Sequence, residues 1–171
     1  NDGGMIALIA DAAAEGNHVG IIGGNPLAVA SHFTVALHAL TLIAGLTADK
    51  DACVTSNRIA ESVGTHPVFI RRILGKLAKA RLVTVKHGGT DPGWKLARSP
   101  QSITLLDVYH AMVEKPLFEY HRSTPNRQCR VGRGIQAALQ PMYRQTETAM
   151  KRHLGQYTMA ELLRDTLACS V

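Results

Sequence analysis

The segment from Ser56 to Arg98 constrains the fold of this chain more than any other part. A short amphipathic run after Ser56 stops at Gly64, which is typical of a helix with a polar N-cap and a glycine at its end. A second run has Pro67 in its first turn, where the missing N–H costs little. Its apolar residues follow the spacing of one helical face, at Ile70, Ile73, Leu74 and Leu77. The pattern predicts two helices joined by a tight turn.

A β-hairpin is predicted directly after the second helix. Leu82 to Lys86 alternates apolar and polar residues, and residues 94–97 return with a similar pattern. The residues between them, His-Gly-Gly-Thr-Asp-Pro-Gly, have the composition of a turn. Two helices, a tight turn and a hairpin in this order predict a winged helix-turn-helix, in a chain that is mainly α with a small β-hairpin.

Positive charge is concentrated in the same segment. It holds nine Lys or Arg and two acids, so its net charge of +7 exceeds the +6 of the whole chain. Residues 1–55 carry one base and five acids, a net charge of −4. A phosphate-binding surface requires such a local excess of positive charge, and we therefore predict double-stranded DNA as the partner.

The second helix of the motif is predicted to be the recognition helix. Arg71 and Arg72 are the candidates for base contacts, because arginine can form a bidentate pair with guanine. Lys76 and Lys79 are expected to contact phosphates, and Trp94 is interpreted as a hydrophobic brace under the wing in preference to a base contact. The alternative is an ordinary surface helix with a solvated face. The full predicted DNA-binding set is Ser56, Thr65, His66, Val68, Arg71, Arg72, Lys76, Lys79, Lys86, His87, Gly88, Gly89, Trp94 and Lys95.

Four further helices are predicted outside this segment. The apolar spacing predicts Ser31 to about Leu46, Ser102 to Glu114, Gly134 to Leu154 with a kink or a new start at Pro141, and a short helix after Thr158. Cap signals accompany two of them, at Thr104 with Asp107 and at Thr158 with Glu161. Either Thr65 or His66 is expected to cap the recognition helix.

Four regions are predicted along the chain. Residues 1–30 form an extension of unclear origin, with a short helix at residues 5–15 and a turn at residues 23–26. Residues 31–114 form the winged helix-turn-helix, residues 115–133 a basic loop that contains Cys129, and residues 134–171 a long helix with a C-terminal helix.

The other chemical signals are weak. No apolar run reaches the ~18 residues that span a bilayer, and no basic signal segment is visible, so we expect a cytoplasmic protein without a membrane partner. Eight scattered histidines lack metal-ligand spacing, and no catalytic signature is present, so we predict no metal site and no enzyme. Three arginines near Cys129 would favour its thiolate, and this residue is either a thiol sensor or a packing residue.

The chain resembles the Rrf2 family of bacterial transcription regulators. The resemblance covers about Ala30 to Leu167, roughly four-fifths of the chain, and its most specific part is GWKLARSPQSITLLDVYHAM. Further matches are FTVALHAL, IAESVG, VFIRRILGKLAKARLV and TMAELL. The resemblance implies homodimeric winged-helix repressors whose long C-terminal helix makes most of the dimer interface, so the long helix within residues 134–171 is the expected dimerisation helix. It places the recognition helix at His66 to Ala80 and the wing at His87 to Trp94.

The same resemblance bears on cofactors. Many members bind an iron–sulfur cluster through three closely spaced cysteines between the wing and the long helix, whereas this chain has only Cys129 there. The chain is similar to the cluster-free subgroup, so we expect no iron–sulfur cluster. We predict a homodimeric repressor that binds a pseudo-palindromic operator and responds to thiol modification at Cys129. The rival hypotheses are a winged-helix module that regulates a partner protein, and a thiol enzyme or metal hydrolase.

Overall fold

The computed structural model describes residues 26–47, 52–89, 92–120 and 123–170, with the backbone alone for residues 26–30. Within these ranges the chain forms six α-helices and one antiparallel hairpin, and a short 3-10 helix spans Pro100–Ser102. This architecture confirms the predicted fold class. The elements are α1 (Pro26–Thr47), α2 (Ser56–Val63), α3 (Pro67–Lys79), β1 (Val83–Lys86), β2 (Gly93–Leu96), α4 (Leu105–Met112), α5 (Arg130–Leu154) and α6 (Met159–Ala168).

Helix α1 lies at the centre of a unit that it forms with α2, α3, the hairpin, α4 and α6, which we call the head. It packs against α2, α3, α4, α6 and β2. A helix that is covered on several sides has no need for a polar stripe, which explains the apolar character of its sequence. The core buries large side chains of α1 itself and of the elements around it, including Leu40, Ile43, Ile59, Ile70, Leu74, Leu77, Ile103 and Met159. Each such side chain contributes about 1.5–3 kcal/mol by leaving water.

The helix-turn-helix forms at the predicted place, with one shift at its start. Gly64 ends α2 in the left-handed conformation, at φ 74°, as its sequence position predicts. The N-cap of α2 is Thr55, whose side chain accepts a hydrogen bond from the Arg58 N–H at 3.3 Å. The prediction that Ser56 caps this helix was therefore wrong by one residue. Both residues carry hydroxyl groups, and only the extended backbone of Thr55 shows which of them lies outside the helix.

Helix α3 is capped by His66 rather than Thr65. The His66 Nδ1 atom accepts a hydrogen bond from the Val68 N–H at 3.2 Å, and Pro67 occupies the first turn as predicted. The helix ends before Arg81, which adopts a left-handed φ of 58°. This turn lets the Leu82 N–H donate to the Leu77 carbonyl at 2.9 Å and directs the chain into β1.

The hairpin is attached to the head through an additional backbone pairing. Val54, just before α2, exchanges two backbone hydrogen bonds with Trp94 of β2, at 2.8 and 2.9 Å. A Cβ atom at Gly93 would lie 2.9 Å from the Val54 carbonyl group, so only glycine permits this close approach. The wing is therefore fixed at its base.

Helices α4 and α6 begin side by side. Thr104 and Thr158 each form a capping box, with Asp107 and Glu161 respectively, as the sequence predicts. The two caps are joined by a backbone bridge in which the Leu105 N–H donates to the Tyr157 carbonyl at 2.9 Å. Helix α6 then packs along α1, so the last helix lies against the head.

Helix α5 differs from every other described α-helix because none of its side chains is buried. Its principal contact in the described part of the chain is with α4. Phe118 from the preceding loop stacks on Tyr143 of α5, with ring centroids 4.9 Å apart. The helix begins at Arg130, four residues before the predicted Gly134. It continues through Pro141, which excludes the second of the two alternatives at this proline, a new start.

Other predicted boundaries also shift. Helix α1 begins at Pro26 rather than Ser31, with the proline in the first position that it favours. The predicted helix over Ser102 to Glu114 is shorter, because the 3-10 helix precedes it and Thr104 caps α4. The predicted helix at residues 5–15 and the first three residues of the predicted turn at 23–26 lie outside the described residues, and Pro26 of that turn begins α1. The boundaries of the four predicted regions remain predictions. No helix in the described ranges combines the length and the apolar character that crossing a membrane requires.

Candidate nucleic-acid interface

The two faces of α3 have opposite character. Ile70, Ile73, Leu74 and Leu77 are buried in the core, as predicted. Arg71 and Arg72 are exposed on the other side, and so are Lys76 and Lys79 further along the helix. Burial of the apolar stripe therefore holds the basic side chains toward solvent.

The N-terminal end of α3 is accessible as well. Val68 is 44% exposed, although it is an apolar residue in the first turn of a packed helix. His66 is also exposed, and its ring caps the helix through Nδ1. An accessible helix N-terminus with a small apolar side chain and two arginines is chemically suited to base edges, because the methyl groups of valine can contact thymine and arginine can pair with guanine.

The two lysines at the other end of α3 differ in their surroundings. The Lys76 Nζ atom lies 3.1 Å from the Glu114 Oε1 atom, in an ion pair whose lysine side chain is 43% exposed. Sequence spacing could not have predicted this pair, because the partners are 38 residues apart. An exposed pair of this kind is weak, at about 0–1 kcal/mol, but it reduces the positive field around Lys76.

The tip of the wing is open to solvent. Lys86 and His87 are exposed, and Gly88 and Gly89 adopt left-handed φ values of 71° and 82°. Glycine is the residue that occupies such a turn without strain. Two glycines beside a lysine and a histidine form a surface that a phosphate backbone can approach closely.

Two predicted contacts on β2, Trp94 and Lys95, are half-buried. The indole of Trp94 packs partly buried against the core, which agrees with the brace interpretation. We therefore leave Trp94 out of the proposed contact set. Lys95 is half-buried and lines a cavity between the hairpin and α6.

Two basic residues outside the predicted set belong to the same region. Arg58 is exposed in the first turn of α2, and Arg81 is exposed directly after α3. In a helix-turn-helix the first helix crosses the phosphate backbone, so Arg58 is placed for a phosphate contact. The cluster of basic residues in the sequence included both positions, and Arg81 follows α3 along the chain, but only the packing of α2 on α3 brings the helix of Arg58 to the same region.

The remaining predicted site residue, Cys129, lies outside this surface. It is the exposed N-cap residue of α5, and its side chain makes no capping hydrogen bond. Its N–H donates to the Asn126 carbonyl at 3.2 Å. Gly132 packs closely here, since a Cβ atom at this position would lie 2.6 Å from the Asn126 carbonyl oxygen.

A family model described as "Iron-dependent Transcriptional regulator", Rrf2, matches residues 29–165 of the chain. A relative from Bacillus subtilis (strain 168), YwnA, is described as an HTH-type transcriptional regulator. It is 36% identical over 134 residues, which cover 78% of this chain and 95% of the relative. These similar proteins are transcriptional regulators rather than enzymes.

Solved structures show the same fold. A crystal structure described as a DNA-binding protein is 32% identical, covers 77% of this chain and 98% of its own, and superimposes with a TM-score of 0.61. A transcriptional regulator from Lactobacillus plantarum is 27% identical over 79% of this chain and 89% of its own, with a TM-score of 0.66.

Proposed function

Because the chain belongs to the Rrf2 family of transcriptional regulators, we propose that it is a homodimeric repressor that binds double-stranded DNA at a pseudo-palindromic operator. One observation carries this proposal: the basic face of α3 is exposed beside a glycine-rich wing, while its apolar face is fixed in the core. Arg71 and Arg72 read bases in the major groove. Lys79, Lys86 and Arg58 contact phosphates.

The homodimer is supported by the surface of α5. Val131, Ile135, Ala138 and Met142 follow one another at spacings of four, three and four residues, and Ala149 continues the same face. Val131 is 69% exposed and Met142 is 60% exposed. Ala138 and Ala149 are exposed as well, and Ile135 is half-buried, so within the described residues most of this face, which we call the α5 outer stripe, is open to solvent. A second copy of the same helix would cover it, and two heads joined in this way would present two α3 helices to one duplex.

We propose that the protein works without an iron–sulfur cluster. Its three cysteines lie on separate elements: Cys53 is near the base of the wing, Cys129 caps α5 and Cys169 follows α6. Within the described residues no three His, Cys, Asp or Glu side chains are grouped closely enough to hold a metal. This donor set does not fit the three-cysteine ligation that many family members use.

The role of Arg71 is tested by selecting bound sites from random duplexes with the wild-type protein and with Arg71→Ala. We expect the wild type to select a two-fold repeat with half-sites one helical turn apart or a multiple of it. Arg71→Ala should lose about 1–3 kcal/mol at the preferred site and should lose base preference at one position of each half-site.

The matched control is Arg152→Gln, which changes an exposed arginine on α5 away from α3. It should leave the selected sequence unchanged. An unaltered selection profile for Arg71→Ala would contradict the assignment. Weak binding of the wild type to all duplexes alike would favour the alternative, a winged-helix module that acts on a partner protein.

We also propose that Cys129 makes the repressor responsive to oxidants. Attack of its thiolate on hydrogen peroxide breaks the O–O bond, leaves a sulfenic acid on the sulfur and releases hydroxide. The added oxygen would lie where the turn at residues 126–129 packs against Gly132 in the first turn of α5, the helix that is proposed to join the two copies. A small displacement there changes the spacing of the two heads.

A DNA-binding titration with and without hydrogen peroxide tests this role. The wild type should lose affinity for its selected site, Cys129→Ser should keep it, and reductant should restore the wild type. Cys169→Ser is the matched control, because Cys169 is also exposed but follows α6. If Cys129→Ser responds to peroxide as the wild type does, the thiol role is wrong.

A further inference from the structure

His66 lies between the turn and α3, at the end of the helix that is proposed to read bases. Its backbone is held on both sides. The Thr65 N–H donates to the Ala60 carbonyl at 2.9 Å, which fixes the turn on α2. The His66 carbonyl accepts hydrogen bonds from the N–H groups of Phe69 and Ile70, at 3.0 and 3.3 Å. The fold therefore sets the position of this residue before any partner binds.

The hydrogen bond that caps α3 also determines which nitrogen of the His66 ring carries the proton. A backbone N–H can only donate, so the Val68 N–H, at 3.2 Å, requires a lone pair on Nδ1. In a neutral imidazole one nitrogen accepts and the other carries the proton. The proton of the neutral His66 ring is therefore on Nε2, and this second nitrogen is a hydrogen-bond donor.

The Nε2 donor belongs to an exposed and oriented ring. His66 is exposed, and so is Val68 in the first turn of α3. Because Nδ1 is bound to the Val68 N–H, the ring cannot turn away without breaking the cap. A donor that is oriented before binding loses less conformational entropy on contact than a long flexible side chain does. Such a donor suits one acceptor atom at a defined place on the partner.

We propose that His66 is a specificity-determining residue, whose Nε2–H donates a hydrogen bond to the N7 atom of a purine while its Nδ1 atom caps α3. The proposal rests on the proposed DNA-binding function. Adenine and guanine both present N7 as an acceptor in the major groove, and a recognition helix places its N-terminal residues at base edges there. A phosphate oxygen is the other acceptor of a duplex, and a contact with it would be indifferent to sequence.

Nitrogen-15 NMR of the full chain, without DNA, tests the tautomer by itself. At mildly alkaline pH, where imidazole is uncharged, two-bond nitrogen–proton correlations show which ring nitrogen carries the proton. The signal that is missing from the spectrum of His66→Ser is the signal of His66. We expect its proton on Nε2. A proton on Nδ1 would overturn the proposal, because that nitrogen could not accept from the Val68 N–H.

Two variants separate the cap from the donor. Serine is a preferred N-cap residue, but its side chain is too short to reach the position of Nε2. His66→Ser should therefore keep the Tm of the wild type and lose about three- to tenfold in affinity for the selected duplex, the effect of one neutral hydrogen bond. His66→Ala should lose the same affinity and also lower the Tm, because it removes the cap.

The matched control is His110→Ser, which changes an exposed histidine on α4 and should bind the selected duplex as the wild type does. If His66→Ser binds that duplex as tightly as the wild type, His66 acts only as a cap and the proposal is overturned. A wild-type protein that selects no duplex would contradict the proposed function and the contact with it. A proton on Nε2 in that protein would show that the ring geometry is not the cause.

Modified duplexes identify the acceptor atom. The 7-deaza analogue of a purine lacks the N7 acceptor and keeps the base pair, and it is placed at each purine of the selected site in turn. At one purine of each half-site, the replacement should weaken the wild type by the same factor as His66→Ser does, and should not weaken His66→Ser further. If His66→Ser is instead insensitive to a neutral methylphosphonate linkage that weakens the wild type, the acceptor is a phosphate and the specificity role is wrong.

Discussion

At the scale of single residues, the helix caps connect sequence and structure most directly. Thr158 and Glu161 are three residues apart, and the structure gives them a reciprocal capping box. The Glu161 Oε2 atom accepts a hydrogen bond from the Thr158 N–H at 2.7 Å. This bond, followed by the bond from the Thr158 hydroxyl, lowers the pKa of Glu161 below its ordinary value. The folded state therefore favours the charged carboxylate.

This lowered pKa predicts a specific effect of acid. The capping contribution is fully present above the ordinary glutamate pKa and is lost as the pH falls through the lowered pKa of the folded state. Thermal unfolding of the wild type and Glu161→Gln from neutral to acidic pH should show a stability difference that shrinks on acidification. Glu119→Gln is the control, because it removes the same single negative charge as Glu161→Gln but from an exposed loop position. A difference between the wild type and Glu161→Gln that does not depend on pH would contradict the assigned cap.

At the scale of elements, α3 and α5 show how much a periodic pattern can reveal. In α3 the apolar residues identified from spacing are the ones that the core buries. In α5 the same kind of spacing predicts a helix, but none of its side chains is buried within the described structure. The periodicity of α5 thus indicates a partner outside the single chain.

The α5 outer stripe predicts the oligomeric state of the protein. The wild type should sediment as a dimer, at twice the chain mass of 18.4 kDa, whereas Met142→Glu should sediment as a monomer, because the interface would bury a charge without a partner. Gln140→Glu places the same side chain on the opposite face of the helix and should remain dimeric. Circular dichroism checks that both variants are folded. A folded, dimeric Met142→Glu protein would exclude the α5 outer stripe as the interface.

At the scale of the whole molecule, the charge distribution is more informative than the net charge. The basic residues of the helix-turn-helix and Lys86 of the wing are exposed, and Glu114 of the 113–120 segment reaches back to pair with Lys76. The sequence predicted equal phosphate roles for Lys76 and Lys79. In the structure the Lys76 ammonium already has a carboxylate neighbour, so we expect Lys79 to contribute more to the attraction of DNA.

Salt dependence measures these contributions. Lys79→Ala should weaken binding to all duplexes alike and should reduce the slope of log K against log salt by about 1. Lys151→Ala, which removes a lysine paired with Glu147 on α5, should leave the slope unchanged. A loss confined to the preferred site would show that Lys79 reads sequence instead of phosphate.

The sequence by itself determined the features that depend on neighbours along the chain. Apolar spacing identified the buried face of α3, Gly64 marked the end of α2, and the threonine–acid pairs marked the starts of α4 and α6. These features arise within one or two helical turns, where residue type and backbone hydrogen bonding decide the outcome. For the same reason the wing and its glycine turn were predictable.

Only the tertiary structure decided which distant residues meet. It brought Glu114 to Lys76, joined Val54 to Trp94 across the base of the wing, and packed α6 on α1 so that Arg164 and Lys95 line one cavity. None of these pairs has a local signature, because each depends on how the elements pack around the shared core. The placement of the basic residues beside one another, which supports the proposed function, likewise follows from burial of the opposite face of α3.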